Sequence, residues 1–175
     1  MDTLLAGWEN FYVIVGTSAG GLTGLTFVVI ALVKDAGRVT PAGLGAFITP
    51  TIVHFGGVLA MSAFLSMPHQ HVPTLSVGFG LAGLAGLIYT GRIAAAMRGQ
   101  AHNYAPVWED WIFNAMLPGI VYGALLVAAA TIRLWPSATL FAIAAASLVM
   151  LFVGIHNAWD IAVWMTTRTP RDTQK

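Results

Sequence analysis

No cysteine occurs in the chain. Disulfides, thiol catalysis and cysteine-held zinc or iron–sulfur groups are therefore excluded. Charge is almost as scarce, since Asp, Glu, Lys and Arg make up 9% of the 175 residues. Soluble domains carry about 25%. So few charges cannot cover the surface of a water-soluble globule of this length. The net charge of +1 leaves no basic face for phosphates, so nucleic acid is excluded as a partner. A disordered tail is excluded as well, because disorder needs low hydrophobicity and this chain is 57% hydrophobic.

What is present in quantity is apolar length. A spanning helix needs about 20 mostly apolar residues, and five segments qualify: 11–33, 44–67, 75–97, 111–132 and 138–165, followed by a short polar tail, 166–175. No Asp, Glu, Lys or Arg lies between Arg38 and Arg92, a gap that fits two helices and the turn framed by Pro68 and Pro73. Strands of a membrane barrel are about 10 residues long with alternating polarity; these runs are longer and apolar on every face. In lipid each backbone group must be satisfied within its own segment, which leaves helix. The reading is a single all-α domain, an integral membrane bundle of five transmembrane helices.

Lys34, Arg38, Arg92, Arg98, Arg168, Arg171 and Lys175 then share one side, and Arg133 alone falls on the other. By the positive-inside rule the N-terminus is out and the C-terminus in. The six tryptophans fall near the predicted interfaces, as an aromatic belt does. The first ten residues carry Asp2 and Glu9 and no basic residue, which is a poor signal-peptide n-region.

Small residues recur at i, i+4 spacing: Gly16, Gly20 and Gly24 on the first helix; Gly78, Ala82 and Gly86 on the third. Such rows let backbones approach closely in lipid, within one chain or between copies. Two mid-span prolines are expected kinks. Pro50 frees the carbonyl of Ala46, and Pro118 frees that of Asn114.

Ionisable groups in a bilayer are expensive and are functional candidates by default. Counted along the helices, His54 falls near the midplane. His156 and Asp160 share a face one turn apart. Glu109 and Asp110 open the fourth helix, with Asn114 one turn further on, and Arg92 lies on the same inner side. Each also has a plainer role. Arg92 can snorkel to headgroups; Glu109 and Asp110 suit a helix N-terminus; Asp160 can pair with Arg92 or Arg168. His69 and His71 read as loop residues.

The stretches Phe11–Val33, Phe47–Phe55 and His156–Asp160 resemble those of small, uncharacterised bacterial multi-pass membrane proteins. The resemblance implies a bacterial inner membrane. It implies no activity, so it assigns no residue a role.

Three functions fit these residues. The first is a homo-oligomeric ion or proton channel, with His54, His156, Asp160, Asn114, Asp110, Glu109 and Arg92 as its polar layer. It requires no cofactor. The second is a redox protein holding haem or a metal between His54 and His156. The third is an accessory subunit packed into a larger membrane complex. An intramembrane enzyme is the weakest reading, since the chain has no HExxH or GxSxG sequence.

Overall fold

The computed structural model describes residues 4–35, 41–99 and 107–167, with side chains over 4–32, 49–99 and 107–163. Arg38, Arg168, Arg171 and Lys175, together with the side chains of Lys34 and Trp164, lie outside the described residues. All regular structure among the described residues is helical: α1 (Glu9–Asp35), α2 (Pro41–Leu65), α3 (Val72–Gly99), α4 (Trp108–Thr131) and α5 (Pro136–Thr167).

The helices run past the ends of the apolar stretches for local reasons. Pro41 and Pro136 are the first residues of their helices and Pro73 the second of α3, positions where a missing N–H costs nothing. Glu9 adds a negative charge to the first turn of α1, where the helix dipole favours it. Between α2 and α3 the chain turns back through His69, whose φ is 58°, and Gln70 Nε2 donates to the Phe64 carbonyl at 2.7 Å, which also accepts the Met67 N–H.

Four helices are long and apolar enough to cross a membrane: Glu9–Leu32, Val72–Gly99, Trp108–Thr131 and Pro136–Val163; α2 contributes the shorter apolar stretch Thr49–Leu65. The protein is a multi-pass helical membrane protein.

Packing orders the helices as a ring. α2 packs on α5, α5 on α4, and α4 on α3, while α1 lies outside against α2 and touches α5. α5 is the central element: 56% of its most apolar window is buried, against 17% for α1. The ring is tight where glycine permits it. A Cβ on Gly16 would lie 2.8 Å from Ser62 Cβ, one on Gly83 2.8 Å from the Tyr122 carbonyl, and one on Gly154 2.5 Å from the Phe55 ring. The row on α1 splits. Gly16 and Gly20 meet Ser62 and Leu59 of α2, while Gly24 has nothing within 4 Å. On α3, Gly78 lies beneath Phe64 and Gly86 beneath Tyr122.

The expected kinks take different forms. α2 continues through Pro50, which is buried. α4 reaches Pro118 through five residues of wider π geometry, Ile112–Met116, in which the Leu117 N–H bonds the Ile112 carbonyl. A π turn absorbs one extra residue without a sharp break, so the helix approaches its proline already loosened.

Candidate functional site

The polar residues gather where α4 begins and α5 ends. His156 lies on α5, one turn before Asp160, and its Nε2 is 3.1 Å from Asp160 Oδ2. Glu109 reaches the same nitrogen from α4, with its Oε1 at 3.8 Å. The Asp160 oxygen lies close to Nε2 without hydrogen-bond geometry; the contact is an ion pair only when the imidazole carries a proton on both nitrogens. Phe113, in the π segment, stacks on the imidazole with centroids 3.5 Å apart and planes 19° from parallel. The ring thus has an apolar face against Phe113 and an edge toward two carboxylates. His156 is about three-quarters buried, whereas Glu109 and Asp160 are largely exposed.

Beside His156 on α5, Asn157 Nδ2 donates to Asn114 Oδ1 at 3.2 Å and ties α5 to the π segment. Asp110 has a separate task. Its Oδ2 accepts the Val107 N–H at 3.0 Å, closing the first turn of α4 as an N-terminal carboxylate can. The two neighbouring acids therefore divide: Asp110 holds its own helix and Glu109 faces α5.

Arg92 is exposed and forms no ion pair among the described residues; Asp160 lies against His156, and its other expected partner, Arg168, is outside the described residues. Arg98 lies over the Trp111 ring, 5.6 Å from its centroid, a cation–π arrangement beside the site. His54 is fully buried on α2 and its Nδ1 has no partner. It makes no hydrogen bond, ion pair or ring contact with His156. Among the described residues no three His, Asp or Glu side chains are grouped as a metal site.

Phe113 and Asn157 are additions to the residues read from sequence. Asn157 had a signal, being a carboxamide beside His156 in an apolar span. Phe113 had none, because its role depends on the helical phase set by the π turn. Chemically, one imidazole between carboxylates of two helices can take up a proton and pass it on.

The chain matches no protein-family model, and no match is found among curated proteins or among solved structures.

Proposed function

We propose that this protein is a homo-oligomeric proton channel of the bacterial inner membrane, with five spans, the N-terminus out and the C-terminus in. The observation that carries the reading is the His156 ring held between Asp160 of its own helix and Glu109 of α4. In this orientation the trio sits at the cytoplasmic mouth. His54 is the next titratable group, buried in α2.

Two features support assembly of several copies. The cavity at the centre of the helix ring is lined almost wholly by apolar side chains, so a polar path belongs between chains. α1 is the peripheral helix, and its Gly21 and Gly24 have nothing within 4 Å among the described residues, so their small faces suit a second copy.

The test is proton flux in liposomes loaded with a pH-sensitive dye. Wild-type protein dissipates an imposed pH gradient, and His156→Ala and Asp160→Asn slow it by about tenfold or more, as loss of a transfer group does. A wild-type protein with no flux above empty liposomes ends the channel reading. Unchanged flux in both variants removes the trio from the path, and unchanged flux in His54→Ala removes His54.

A further inference from the structure

The ring of helices is not closed all the way round. α2 and α3 meet at the hairpin end, where Phe64 lies over Gly78, and then part; the main helix pairings do not include α2 with α3. Between them lies a cavity of about 610 Å³, floored by α4 and α5. Its rim is formed by Ala60 on α2 and by Leu81 and Ala85 on α3, all of them exposed. In a membrane this rim faces lipid, so the cavity is entered sideways from the bilayer.

Its wall is apolar apart from hydroxyls, and no lining residue carries a charge. The Ser147 hydroxyl is already committed to the Ile143 carbonyl at 2.9 Å. Two phenols are not committed. The Tyr89 hydroxyl is buried and has no partner. Tyr122 is buried on α4, and no hydrogen bond of its hydroxyl is found among the described residues. Its hydroxyl extends toward α2, 3.8 Å from where a Cβ on Gly57 would stand. A buried hydroxyl left unpaired is unfavourable by about 1–3 kcal/mol, so the Tyr89 hydroxyl, with a second phenol on the same cavity wall, needs an explanation.

We propose that this cavity binds a neutral, membrane-dissolved carbonyl compound of the quinone type, with the Tyr89 and Tyr122 hydroxyls donating hydrogen bonds to its oxygens. The observations exclude the commoner lipid groups in turn. A bare acyl chain would leave both phenols unpaired. A phosphate or carboxylate would bring a charge into a wall with no cation. A quinone head is flat, apolar over most of its surface and carries acceptor oxygens, and its tail can leave through the gap between α2 and α3. The volume lies within the ~300–1,000 Å³ usual for small-molecule sites. The site is separate from the His156 trio and does not depend on proton conduction.

The experiment uses full-length protein in phosphatidylcholine nanodiscs, titrated with a decyl-substituted benzoquinone. Quinone retained after gel filtration is measured by ultraviolet absorbance of the solvent extract, corrected with empty nanodiscs. Saturable binding is expected. Tyr89→Phe and Tyr122→Phe each weaken it by about tenfold, the scale of one lost hydrogen bond. Ala85→Phe, at the exposed rim, blocks entry. Hexadecane at the same concentration does not displace the quinone. Retention no greater than in empty nanodiscs overturns the proposal. So does a Tyr89→Phe/Tyr122→Phe double variant that binds as tightly as wild type, which would make the cavity an acyl-chain slot.

Discussion

The ring of Tyr122 occupies the space that a side chain on Gly86 would need. Tyr122 is buried and lines the cavity beside Gly86, so a side chain on Gly86 must push the ring out of its contact with α3. Gly86→Ala is therefore expected to destabilise the bundle by about 1–3 kcal/mol, the usual range for overpacking. Gly91→Ala, at a position with nothing within 4 Å, serves as the control and leaves stability unchanged. Thermal unfolding of the purified protein in detergent measures both.

Phe55 is fully buried and its ring fills the gap left by Gly154. Phe55→Ala opens a cavity at the α2–α5 contact and is expected to lower stability by about 3–5 kcal/mol. The same unfolding assay reads it. A loss under 1 kcal/mol would mean that α2 is not held where Gly154 places it.

Asn114 and Asn157 are joined by one hydrogen bond across α4 and α5. Interhelical hydrogen bonds in membrane proteins couple by about 0.6 kcal/mol on average, and up to about 1.7. A double-mutant cycle of Asn114→Ala and Asn157→Ala is expected to fall within that range. Strict additivity of the two variants would show that the carboxamides act independently.

The absence of cysteine makes the topology directly measurable. His71→Cys, in the exposed turn between α2 and α3, is expected to react with a membrane-impermeant maleimide in intact cells. Gln174→Cys is expected to react only after the membrane is opened. The reverse pattern would invert the proposed orientation and move the His156 trio to the outer mouth.

Gly16 and Gly24 differ in what they face. Gly16→Leu drives a side chain into Ser62 and is expected to unfold the α1–α2 contact. Gly24→Leu meets nothing among the described residues and is expected to leave the monomer folded while shifting size-exclusion elution toward smaller species. Unchanged elution would remove α1 from the interface between copies.

The helices, four of them of spanning length, were legible because length and polarity act locally. An unbroken apolar run must be helical in lipid, and prolines and charges mark its ends, so α3 and α5 begin within three residues of their expected starts. His156 beside Asp160 was legible for the same reason, since a one-turn spacing puts both on one face. Glu109 joining them was not, because nothing in the spacing of α4 tells which neighbour it will face. Pro118 announced a disturbance; the π turn that accommodates it begins before the proline and involves residues with no unusual propensity. The gap between α2 and α3 had no sequence signal at all. It arises from where Phe64 and Tyr122 seat on glycines of α3, a matter of three-dimensional fit.

The π segment makes α4 two helices of different rotational phase. One residue turns an α-helix by about 100°, so the extra residue within Ile112–Met116 rotates everything before it by roughly that angle relative to Leu117–Thr131. Glu109 points toward His156 because of this offset, although neither residue belongs to the segment that creates it. Deleting Ala115 would keep every polar group in the chain, restore a uniform helix and swing Glu109 away from α5. The carboxylate partner of His156 is thus set by a backbone count several residues distant from either side chain.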